Sequence, residues 1–212
     1  MEGPEVHHPH ARHGGGLPQW LELTIAGTAL VTSICSIVIA IHHGHTMEKL
    51  VQANSIPYLV GGFSTATTEG AEVLSLDLLN RGVGPAHEKS LRVTVDGQYV
   101  KSMDELIAKS LEPAQAAEVM QAKADKMLRI LENNVHTRFV PGGEAQLVFR
   151  IAKTPENARL WEILESAQDR WDVEYCYCSV FDDCWEVNGK FGEPAPADEC
   201  KRDEPHEFLP GG

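Results

Sequence analysis

Leu23-Thr-Ile-Ala-Gly-Thr-Ala-Leu-Val-Thr-Ser-Ile-Cys-Ser-Ile-Val-Ile-Ala-Ile41 runs without a charge or a proline. At ~1.5 Å per residue, a helix of this stretch spans about 28 Å, close to a hydrocarbon core of ~30 Å. Trp20 and Glu22 flank it on one side and His42, His43 and His45 on the other, as residues of the membrane interface do. The run is longer than the roughly 7–15 apolar residues of a signal peptide, its leader carries only Arg12, and no good Ala-x-Ala site follows. It is expected to stay as a single transmembrane anchor over residues 20–45, set in the lipid bilayer.

Within that anchor Thr24, Thr28, Thr32, Ser36 and Ala40 recur every fourth residue and form one stripe of small side chains. Such a face lets two helix backbones approach closely, with hydroxyls on hand for interhelical hydrogen bonds. The alternative is that each hydroxyl bonds back to a carbonyl one turn earlier. The stripe predicts packing against another transmembrane helix, from a second copy (homo-oligomer) or another subunit (hetero-oligomer). Arg12 before the anchor and Lys49 after it nearly balance, so basic residues do not set the orientation.

The cysteines bear on orientation instead. Cys35 falls inside the anchor; Cys176, Cys178, Cys184 and Cys200 cluster late. An even, clustered set suggests bridges in an oxidising compartment. Glu174-Tyr-Cys-Tyr-Cys-Ser-Val-Phe-Asp-Asp-Cys-Trp-Glu-Val187 reads as two short strands about a turn near Phe181 to Asp183, which sets Cys178 opposite Cys184 and leaves Cys176 for Cys200. Four cysteines allow three connectivities. Structural zinc is a poorer match, because Cys-x-Cys followed five residues later by Cys is not the usual knuckle spacing; free thiols in a reducing compartment are the third reading.

A net charge of −13 over 212 residues argues against nucleic acid, which needs a basic patch, and against strong attraction to anionic head groups. Residues 1–19 read as a disordered His/Gly-rich tail, with His7, His8, His10 and His13 a weak candidate for metal and a flexible tail the plainer reading. Residues 46–56 read as a linker helix, 57–190 as the soluble domain, and 191–212 as an acidic, Pro-rich, extended or disordered tail.

Inside the domain, Tyr58-Leu-Val and the alternating Val73 to Leu79 read as strands, Asn80-Arg-Gly-Val-Gly-Pro-Ala86 as a turn cluster, and Ser90–Val95, Asp96-Gly97, Gln98–Val100 as a hairpin with a type I′ turn. Ala145–Ile151, Asp172–Val180 and Cys184–Val187 supply further strands. Two helical insertions are expected. In the first, near 102–134, Ser102 and Glu105 form a capping box, Pro113 opens a longer helix, and Met120, Ala124, Met127, Leu128 and Leu131 share one face. The second, near 155–168, has Thr154 as N-cap and buries Leu160, Trp161 and Leu164. The fold class is α+β: an N-terminal transmembrane helix followed by a β-sandwich-like domain with helical insertions.

Leu50-Val-Gln-Ala-Asn-Ser-Ile-Pro-Tyr-Leu59, Asn80-Arg-Gly-Val-Gly-Pro-Ala86, Pro141-Gly-Gly-Glu144 and Tyr175-Cys-Tyr-Cys-Ser179 together resemble a class of uncharacterised bacterial single-pass membrane proteins. The similarity covers roughly residues 20–190. It implies an inner-membrane anchor and a periplasmic immunoglobulin-like β-sandwich, and it brings no activity with it. The insertion near 102–134 departs from a plain sandwich.

Catalytic patterns are scarce. No phosphate loop, nucleophile elbow or His-Glu-x-x-His occurs; His87-Glu88 and His206-Glu207 lack a second histidine at metal spacing, and Asp182-Asp183 suits a hairpin turn. The expectation is a non-catalytic protein without cofactor, an accessory or scaffolding subunit of a membrane assembly. The alternative is a tethered periplasmic binding module for a glycan, peptide or metal.

Overall fold

The uncharged run lies in a helix much longer than itself. The computed structural model describes residues 18–68, 70–134, 138–189 and 192–210, so all but the last two residues of the His/Gly-rich tail fall outside the description. The chain forms two units, Met1–Leu50 and Val51–Gly212. Helix α1 covers Gln19–Ala53 and buries none of its residues. It is long and apolar enough to cross a membrane. The linker segment extends α1 as far as Ala53: no proline lies between Pro18 and Pro57 to interrupt the ladder, and Gly44 alone does not stop it.

The second unit continues with β1 (Leu59–Thr68), β2 (Ala71–Asn80), β3 (Ala86–Val95), β4 (Gln98–Val100), α2 (Met103–Ser110), α3 (Pro113–Ala124), β5 (Ile130–Glu132), β6 (Phe139–Val140), β7 (Ala145–Ala152), α4 (Ala158–Ala167), β8 (Trp171–Cys178), β9 (Cys184–Asn188) and β10 (Ala195–Ala197). One antiparallel sheet has the order β1-β2-β7-β5; the other runs β10-β9-β8-β3-β4, with β6 also pairing β3. Sheets plus helices make the domain α+β. Alternation explains the burial: Leu74, Leu76 and Leu78 of β2 and Phe149 and Ile151 of β7 face the same core as Leu91, Val93, Val173 and Tyr175 of the second sheet. Helices α2 and α4 close it with Leu106, Ile107, Trp161 and Leu164.

Local signals act where expected in α2. Ser102 Oγ accepts from the Glu105 amide at 3.3 Å, while the Glu105 carboxylate turns back one residue further, to the Lys101 amide at 2.8 Å. The β3–β4 turn has both central residues at positive φ, Asp96 at 48° and Gly97 at 76°, as a type I′ turn requires.

Three expectations need revision. The helix opened by Pro113 ends at Ala124, so Met127 and Leu131 do not join its face and stand 53% and 54% exposed. Lys126 adopts φ 61°, its amide reaches Lys123 O, and the Met127 amide reaches Ala122 O, the paired bonds of a Schellman stop. The second insertion starts later than Thr154: Thr154 and Asn157 exchange side-chain-to-amide bonds of 2.8 and 3.3 Å, and Asn157 is the N-cap. Lastly, the acidic tail is extended but docked. β10 pairs with β9, Phe208 is fully buried, and its amide bonds Leu91 O at 2.9 Å.

Candidate functional site

The five small residues of the stripe, Thr24, Thr28, Thr32, Ser36 and Ala40, all lie exposed along α1. Their hydroxyls are already engaged: Thr24 donates to Leu21 O, Thr28 to Ile25 O, Thr32 to Thr28 O and Ser36 to Thr32 O, at 2.8–3.0 Å. Back-bonding of this kind leaves the oxygens as acceptors and keeps the surface smooth. What the stripe offers a neighbouring helix is close approach rather than donated hydrogen bonds.

The four late cysteines come together on one face of the β8–β9 ladder. Cys176 and Cys178 are two apart on β8 and so point the same way; Cys184 stands directly across from Cys178. Bridges join Cys178 to Cys184 and Cys176 to Cys200, with Cα separations of 4.0 and 5.6 Å. The sulfurs of Cys178 and Cys200, belonging to different bridges, lie 3.6 Å apart. Sγ atoms of Cys178, Cys184 and Cys200 all fall within 4.8 Å of one another, the crowding of a metal site, yet each is spent on a disulfide. Cys35 is the one unbridged cysteine, on α1.

The Asp182-Asp183 pair belongs to the turn between β8 and β9. Ser179 Oγ accepts from the Phe181 and Asp183 amides at 3.1 and 3.3 Å, and Asp182 takes φ 62°. His206 serves the docked tail: its Nδ1 sits 2.6 Å from the Asp203 carboxylate and its ring lies against Tyr99. The neighbouring Glu207 is buried, taking a hydrogen bond from the Ser90 hydroxyl at 2.7 Å and one from the Leu91 amide at 3.1 Å.

A site not anticipated from the sequence lies beside β5. A groove of about 590 Å³ is lined by Lys123, Lys126, Arg129 and Arg150 around Leu128, Ile130, Leu131 and Ala152. The pairing of Leu131 with Arg150 across β5 and β7 brings the two halves together. Lys123 is engaged by Asp104 at 2.6 Å and Glu132 at 3.4 Å. Among the described residues no carboxylate pairs with Lys126, Arg129 or Arg150, and the Arg150 Nε is buried without a hydrogen-bond partner. The hidden signal was Lys123, Lys126 and Arg129 at three-residue spacing, which in a helix reads as a solvated face.

Comparison with protein-family models, curated proteins and solved structures gives no match to this chain.

Proposed function

We propose that this chain is a non-catalytic accessory subunit of a membrane assembly. Helix α1 spans the bilayer, its Thr24–Thr28–Thr32–Ser36–Ala40 face packs on another membrane helix, and the sandwich-like domain stands outside the cytoplasm. The observation that carries this is the helix itself, 35 residues long, apolar enough to cross a membrane and with none of its residues buried. A lipid-exposed helix of that composition with a small-residue face is suited to a backbone-to-backbone contact.

Two further features support the reading. Two disulfides in one cluster favour an oxidising compartment for the domain, and the resemblance to periplasmic sandwich proteins agrees with that side of a bacterial inner membrane. The core shared by both sheets and the stapled β8–β9 hairpin give a rigid body suited to covering or extending an assembly.

The test is the double substitution Thr28→Leu with Thr32→Leu, which fills the stripe without adding charge. It should abolish co-purification of the membrane partner while leaving membrane insertion and both disulfides unchanged. Unaltered recovery of every partner would rule out this face as the contact.

A further inference from the structure

We infer that the groove beside β5 binds a free single-chain anionic amphiphile, a molecule with one carboxylate or phosphate head and an unbranched apolar body. The lining divides along that chemistry. Leu128, Ile130, Leu131 and Ala152 give an apolar floor, and Leu131 remains 54% exposed. Lys126 and Arg129, from the turn after α3, and Arg150, from β7, form a cationic rim.

Charge complementarity chooses the head group. The chain carries −13 overall, yet no Asp or Glu lines this groove, and its three unengaged cations have no carboxylate partner among the described residues. A neutral amphiphile would leave them unanswered, whereas a carboxylate or phosphate accepts charge-assisted bonds from Arg and Lys together. Arg150 lines the groove, and its Nε is a buried donor without a hydrogen-bond partner.

Size and edge geometry choose the body. A volume of about 590 Å³ falls within the ~300–1,000 Å³ typical of small-molecule sites. Strand β5 has three residues and only β7 beside it, too short an edge for a long added strand to hold. A nucleic acid would meet three cations on a strongly acidic protein, which is unfavourable.

The experiment uses the full chain in phosphatidylcholine nanodiscs with a diazirine-bearing palmitic acid as probe, and mass mapping of the label. Label is expected in residues 126–131 and 150–152, displaced by palmitate and not by hexadecanol. Lys126→Gln with Arg129→Gln, at exposed positions, should cut labelling about tenfold with the melting temperature unchanged; Arg150→Gln should do the same. Label confined to α1, equal displacement by hexadecanol, or full labelling of the Lys126→Gln/Arg129→Gln variant would overturn the proposal. So would an alternating acidic peptide that binds this edge when palmitate does not displace it, since that assigns the edge to strand addition.

Discussion

The Tyr175 hydroxyl of β8 reaches across to β1, taking a hydrogen bond from the Gly61 amide at 2.7 Å and giving one to Leu59 O at 3.1 Å. One side chain of the second sheet thereby satisfies two buried backbone groups of the first. The approach is close enough that a Cβ on Gly61 would lie 2.5 Å from Leu78 Cδ2 and 2.9 Å from the Tyr175 ring. Tyr175→Phe keeps the ring and orphans both groups, so it should destabilise the domain by about 2 kcal/mol in denaturant titration. Gly61→Ala should cost at least as much, by steric clash.

Burial also raises the Tyr175 hydroxyl pKa above its ordinary value, and that of Tyr177 likewise. In the fold these phenols resist ionisation more than they do in the unfolded chain. Stability is therefore full below the ordinary tyrosine value of about 10 and falls as pH rises above it. Melting temperatures between pH 8 and pH 11 should show that decline, and Tyr175→Phe should make it shallower. An unchanged slope in the variant would assign the alkaline sensitivity elsewhere.

Asn80, fully buried, holds a whole turn by its amide. Its Oδ1 accepts from the Tyr58 and Gly82 amides at 3.1 and 2.9 Å, and its Nδ2 donates to Gly84 O and Val140 O at 2.8 and 2.9 Å. Asn80→Ala removes four hydrogen bonds and should destabilise by about 3 kcal/mol. In a domain of this size that lowers the melting temperature by roughly 10 °C. Asn80→Asp should also destabilise, because a carboxylate cannot donate to two carbonyls.

The 3.6 Å between the Cys178 and Cys200 sulfurs makes the bridge pattern exchangeable once one partner is removed. Cys176→Ser frees Cys200 as a thiol beside the Cys178–Cys184 bond. Its thiolate should attack Cys178, forming Cys178–Cys200 and releasing Cys184 as the thiolate. Peptide mapping after alkylation at neutral pH should recover both connectivities. Cys178–Cys184 alone, at every pH, would show that the thiol is held out of line.

Much of this was readable from local chemistry. The Asp96-Gly97 turn, the Ser102–Glu105 cap and the opposition of Cys178 to Cys184 depend on a few adjacent residues, and those residues act as their types suggest. The end of α3 was hidden because its stop uses Lys126 at φ 61°, where glycine is the usual sign. The docking of the tail was hidden because an acidic, Pro-rich composition says little about one Phe208 with a place in the core. The groove could not be seen along the chain at all. Arg150 meets Lys126 and Arg129 only through the pairing of β5 with β7.

Helix α1 is proposed to serve a larger membrane assembly. Purifying the native full-length chain in a gentle detergent, with mass spectrometry of whatever co-elutes in fixed ratio, tests it most directly. A stoichiometric integral-membrane partner should co-elute, and it should be lost when Thr28 and Thr32 become leucine. A chain that elutes alone, or only with copies of itself, would contradict it.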